Sequence, residues 1–181
     1  VAADLDGDSS FELIDGKEAF RFDKTTKKWT PAANFGGPSL GQVAYADFGT
    51  FGANPANDDR TKLDGVPEIA VVTSGAVRVQ TLAGRVVFTA ALPGAPPGTG
   101  GAPTIGDFDG DGRAEIGVAG ATDYSVFDPD CVAGAAAAVC PSAATNGVLW
   151  SKSSQDLSSN VTGSSVFDFD GDGRDEGGYA D

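Results

Sequence analysis

The sequence predicts an all-β fold, a β-propeller whose blades each hold four antiparallel strands with an Asp-rich loop between the first and second. Two observations lead there. Apolar residues come in short runs separated by Gly, Pro, Asn and Asp clusters, which is the texture of many short strands rather than of helices. An Asp-rich segment also recurs, each time ahead of the same order of strand-like pieces.

The intact copies are DLDGDSSFE from Asp4, DFDGDGRAE from Asp107 and DFDGDGRDE from Asp168. The last two start 61 positions apart, and a similar step back from Asp107 reaches Asp47 in YADFGTFG. That copy is interrupted by an insertion, GTFGANPANDDRTKL, after which Asp64-Gly65-Val66-Pro67-Glu68 closes it as DGRAE closes the third.

Strand-like pieces follow each loop: FELIDG, EAFRFD and KKWT after the first, EIAVVTSG, AVRVQTL and GRVVFTAAL after the second, EIGVAG, DYSVFD and GVLWSK after the third. GQVAYADF and GAPTIGDF lead into the second and third loops. Four short strands in a repeat of about 45 to 60 residues make a propeller blade. The chain accordingly divides into a partial blade at 1–34, a blade with an insertion in its loop at 35–93, a blade with a Cys-flanked insertion at 94–152 and a partial blade at 153–181. A blade cannot bury both faces alone, and rings close with about four to eight blades. The remaining blades are therefore expected from a longer chain or from neighbouring subunits.

Composition agrees with a folded, cation-seeking protein. At 181 residues and 40% hydrophobic content the chain can build a core. Its charge of −14, from 12 basic and 26 acidic residues, argues against nucleic acid or an anionic membrane as partner, since both are recognised by clustered Lys and Arg. No apolar stretch is long enough to span a bilayer as a helix; the Ala-rich run in CVAGAAAAVC is too short. The sequence has no Met and starts mid-pattern at Val1, so a leader peptide, if one existed, is expected to have been removed or to lie outside it.

Alternate Asp residues on a tight loop direct several carboxylates inward, and a hard cation such as calcium takes six to eight oxygen ligands. The expected ligands in the third loop are Asp107, Asp109, Asp111, the carbonyl of Arg113, and Glu115; in the fourth they are Asp168, Asp170, Asp172, the carbonyl of Arg174, and Glu176. The first loop offers Asp4, Asp6, Asp8, the carbonyl of Ser10, and Glu12, with Ser9 standing where the others have Gly, so its turn is expected to be less relaxed. In the second, Asp47, Asp64 and Glu68 align, while the middle Asp is lost and Asn54, Asn57, Asp58 or Asp59 would have to substitute. Three Ca2+ sites are expected, with the second loop as a fourth candidate. An EF-hand is excluded because position twelve is Asp15, Val118 or Tyr179 rather than Glu. A single such loop is as readily a plain polar turn. Three copies, each closing with Glu at the ninth place, favour metal ligation.

With these loops, the Phe35-Gly36-Gly37-Pro38 segment and Gly101-Ala102-Pro103, the chain resembles the FG-GAP and VCBS-type repeats of integrin α-subunit propellers and of many secreted bacterial proteins. That resemblance implies an extracellular or cell-surface propeller of seven or eight blades, braced by calcium and binding protein or glycan ligands. It does not supply the ligand.

Cys131 and Cys140 flank the Ala/Gly-rich insertion, and a disulfide between them is expected over two reduced thiols or a zinc site, since the chain has no His and no other Cys. Trp29 and Trp150 hold equivalent places in the last strand of their repeats, where packing is the commoner use and sugar stacking the rarer. Asn160-Val161-Thr162 is a glycosylation sequon.

Without His, the Ser-His-Asp and Cys-His nucleophile systems are absent, and every clustered carboxylate is accounted for as a metal ligand. The leading expectation is a non-catalytic adhesion, ligand-binding or scaffold module. Two alternatives remain: the propeller part of a calcium-dependent polysaccharide lyase or hydrolase, in which a residue outside the loops such as Lys62 or Arg85 would matter, or a subunit of an extracellular fibre or surface assembly.

Overall fold

The computed structural model describes residues 1–94, 100–120, 122–132, 147–155 and 162–179. Four antiparallel sheets follow one another along the chain. The first pairs β1 (Ala2–Ala3), β2 (Glu12–Ile14), β3 (Ala19–Asp23) and β4 (Lys28–Pro31) in order. The second pairs β5 (Gln42–Ala46), β6 (Glu68–Thr73), β7 (Ala76–Gln80) and β8 (Val86–Ala91). The third pairs β9 (Thr104–Gly106), β10 (Glu115–Ala119), β11 (Asp123–Phe127) and β12 (Val148–Ser153). The fourth contains β13 (Ser165–Phe167) and β14 (Glu176–Gly178) among the described residues. The all-β prediction and its meandering four-stranded sheets are what the structure shows.

Local chemistry explains these elements. β6 and β10 read as unbroken apolar runs after their opening Glu because they are buried on both faces, β10 along its whole length. Thr73 pairs with Ala76 across a two-residue turn in which Ser74 and Gly75 take φ of 54° and 76°, the left-handed conformation that matches strand twist in tight hairpins. β4 is exposed throughout, as an outer edge strand.

Neighbouring sheets share their cores. Leu5, Ile14 and Ala19 of the first repeat pack with Ile69 and Val71 of the second. Val72, Val77, Val79 and Phe88 join Ile116, Val118 and Phe127 of the third. Phe108, Tyr124 and Val126 meet Val166 and Tyr179 of the fourth. Opening strands lie side by side, with β9 between β5 and β13. Polar ties reinforce the seams: the side chains of Arg78 and Gln80 both donate to the Gly16 carbonyl at 3.0 Å, and the Thr104 and Ser164 hydroxyls lie 2.6 Å apart. At Gly37 a side chain would run into that same Gly16 carbonyl, so the glycine permits the first two sheets to approach. The sheets form no closed ring among the described residues. Among those residues no helix is long and apolar enough to cross a membrane.

The aromatic residues behave as packing groups. Trp29 lies 5.4 Å from Phe22, its cross-strand neighbour, and Trp150 lies 5.9 Å from Tyr124 and 6.2 Å from Phe108. Tyr124 in turn reaches Tyr179 of the next repeat at 5.6 Å.

Candidate metal centre

The third loop shows how the acids are brought together. Asp107 leaves β9 and turns the chain over its own carboxylate. Its Oδ1 accepts the N–H groups of Gly110 at 2.7 Å and Asp111 at 3.0 Å, and its Oδ2 accepts that of Gly112 at 2.8 Å. Asp109 accepts the N–H of Asp111 at 3.1 Å, and Asp111 that of Arg113 at 2.8 Å. Gly110 and Gly112, with φ of 79° and 83°, make this turn without strain. As a result Asp107, Asp109, Asp111 and Glu115 each place one oxygen within 4.8 Å of the others.

Glu115 opens β10 and is 1% exposed. Its Oε2 accepts the N–H of Phe108 at 2.6 Å, tying the end of the loop back to its start. The same staple joins Leu5 to Glu12 and Phe48 to Glu68 at 3.1 Å, and Phe169 to Glu176 at 2.9 Å. Glutamate at the ninth place thus has a structural role that was not read from the sequence. The signal was its survival in the interrupted second copy.

The fourth loop repeats the skeleton. Asp168 accepts N–H groups from Gly171 at 2.6 Å and Gly173 at 3.0 Å, and Asp168, Asp170 and Glu176 converge within 4.8 Å. Asp172 lies outside that group and holds the N–H of Arg174 at 2.9 Å.

In the first loop Asp4, Asp6 and Asp8 converge, and Asp8 holds the N–H of Ser10 at 2.8 Å. Glu12 does not belong to that group. Ser9 takes φ of 67° where the third and fourth loops use glycine, a left-handed conformation that costs about 1 kcal/mol with a side chain present. Arg21, from β3, bonds Asp6 at 2.6 Å, Asp8 at 3.1 Å and Glu12 at 2.9 Å.

The second loop gathers no group of three acids among the described residues. Asp47 accepts from Gly49 at 3.1 Å and Gly65 at 2.6 Å, and Asp64 from Val66 at 2.9 Å. The candidate substitutes have other duties. Asn54 caps a single 3-10 turn, Pro55–Asn57, which Asn57 ends; Asp58 pairs with Arg85 at 2.7 Å; Asp59 accepts from both the N–H and hydroxyl of Thr61.

Burial governs the electrostatics. Desolvation, with Asp109 as the main neighbouring charge, pushes the Glu115 carboxyl up to about 9. Desolvation, opposed by the Phe48 hydrogen bond, raises Glu68 to about 8. Asp109 is raised by burial and then by Asp111, and its Oδ2 is buried without a hydrogen-bond partner.

A further pair of acids escaped the sequence reading. Asp128 and Asp130, 2% and 5% exposed, follow β11, and burial together with Asp130 raises Asp128 to about 8. Asp128 Oδ2 and Asp130 Oδ1 are buried and unpartnered, while the Arg113 side chain bridges Asp130 and Asp111. The signal was Asp-Pro-Asp directly after an apolar strand.

Oxygen-only donors, several carboxylates on one loop and an orphaned buried carboxylate oxygen fit a hard divalent cation and not a thiolate- or imidazole-seeking metal. Cys131 is fully buried; Cys140 lies outside the described residues, as do Asn160 and Val161 of the sequon.

Four-stranded sheets set side by side, each with an acidic loop between its first two strands, define a module of the β-propeller type. Residues 62–118 match the model of the FG-GAP-like repeat, and this stretch of the chain is similar to that family's repeat. The matched segment runs from within the second loop into β10, so the family's repeat straddles two sheets. The comparisons with curated proteins and with solved structures return no match.

Proposed function

We propose that the chain is part of an extracellular calcium-binding propeller, a non-catalytic module for adhesion, ligand binding or scaffolding in which calcium braces the blade loops. The observation that carries this reading is the third loop. Four carboxylates converge there, and Asp109 keeps a buried oxygen with no protein partner. Asp107, Asp109, Asp111 and Glu115 would hold the ion, and Asp168, Asp170 and Glu176 would hold a second. The ion would neutralise acids whose burial otherwise favours their protonated forms, so binding is coupled to folding. A bridge between the buried Cys131 and Cys140 belongs to the same extracellular reading.

The partners proposed are protein or glycan ligands and further blades, from the same chain or neighbouring subunits. Phe167 and Phe169 of the fourth sheet, 64% and 66% exposed and 5.5 Å apart, favour a further blade on that side.

The test is calorimetric titration of the chelator-stripped chain with calcium, with melting curves in its presence and absence. Saturable binding and a raised melting temperature are expected. No binding would reduce the Asp loops to turns.

A further inference from the structure

The loops look alike in sequence, but one position on the neighbouring strand differs between blades. Glu12 pairs in register with Arg21 of β3. In the second sheet the last recorded pair is Ile69 with Gln80, and one more step places Thr81 opposite Glu68. In the third, Ile116 pairs with Phe127, and one more step places Asp128 opposite Glu115. The three blades therefore present an arginine, a threonine and an aspartate at the same register position.

We infer that this third-strand residue decides which loops take calcium: Arg21 occupies the first loop as a built-in cation and closes it, whereas Asp128 adds a further buried carboxyl group beside the third and strengthens it. The inference rests on the calcium-binding reading above.

Geometry supports both halves. The Arg21 guanidinium touches three of the four carboxylates that would ligate an ion, and one of them, Glu12, is fully buried and needs a charged partner. Calcium could enter only by displacing it and leaving the arginine unpaired. Glu12 is consequently held away from the Asp4, Asp6 and Asp8 group, whereas Glu115 and Glu176 join theirs. At the third loop, Arg113 touches only Asp111 of the four converging acids and spends its other contact on Asp130. Asp128 is 2% exposed, and its Oδ2 is buried without a hydrogen-bond partner. It lies outside the converging four and would act on the ion from the next layer.

The experiment is calcium titration of the whole chain and of variants, read as stoichiometry and affinity. Arg21→Gln should gain one equivalent of calcium. Asp8→Asn, an exposed change that leaves folding intact, should leave the wild-type stoichiometry as it is, whereas Asp109→Asn should lose one equivalent. Asp128→Asn should keep the stoichiometry and weaken the third loop about tenfold. Wild-type binding with no gain in Arg21→Gln, or an equivalent lost in Asp8→Asn, overturns the Arg21 half while the proposed function stands. Unchanged affinity in Asp128→Asn overturns the other half. If the wild type binds nothing but Arg21→Gln binds one ion, the proposed function falls and the Arg21 half survives; if neither binds, both fall.

Discussion

The third and fourth loops have almost the same sequence, DFDGDGRAE and DFDGDGRDE, yet they differ in surroundings. Both turn over their first Asp through the same N–H contacts, and both staple the next Phe to the closing Glu. Phe108, however, is 8% exposed and Phe169 is 66% exposed. The hydrogen-bonded skeleton is local and comes with the motif. Burial comes from β11, β12 and the neighbouring sheets, whose counterparts the fourth sheet lacks among the described residues.

The largest expected effect that sharpens this contrast is on pH dependence. Glu115 has its folded-state carboxyl raised to about 9 by burial, so its contribution is fully present below the unfolded value near 4.5 and is lost as pH rises toward 9. The calcium-free chain should therefore lose stability across that window, by an amount on the order of several kcal/mol. Denaturant melts at several pH values should show the slope, and Glu115→Gln should flatten it; an unchanged profile would mean that the third loop is as wet as the fourth. Calcium should tighten as pH rises through the same window, because it displaces the proton.

Next in size is the aromatic pair. Phe108→Ala should cost about 3–5 kcal/mol through the cavity it leaves, while Phe169→Ala should stay within about 0.5 kcal/mol. Equal costs would break the comparison and show that something covers Phe169 in solution. A smaller effect is expected at the staple. Glu115→Ala leaves the buried Phe108 N–H unpaired and should cost about 1–3 kcal/mol, against less than about 1 kcal/mol for Glu176→Ala, where water can take over. The smallest is Tyr124→Phe, which removes the 2.8 Å contact with the Ser164 hydroxyl across the seam between the two sheets and should lower the melting free energy by about 1 kcal/mol.

Most of what was legible was local. DxDGD loops, glycine at the left-handed positions and apolar runs of strand length all act within a few residues, so the strand order could be read from their succession. Ser9 was marked as a strained turn position and takes φ of 67°. The second loop, which lacks the middle Asp of the motif, gathers no group of three acids among the described residues. Illegible were the contacts between segments distant in sequence. Arg21 lies nine positions beyond Glu12, and only the β2–β3 register places its guanidinium among Asp6, Asp8 and Glu12. Likewise Asp128 and Asp130 look like a surface turn until β11 carries them beneath the third loop.

The sequence by itself determined the all-β class, the repeated loop and the donors each loop offers, because turn geometry and strand periodicity are properties of short segments. Tertiary structure alone decided which of those donors are buried, which already have a cation, and which stay wet. Those outcomes depend on strand register and on the packing of one sheet against the next, where a single residue such as Arg21 or Asp128 changes the charge a loop must balance.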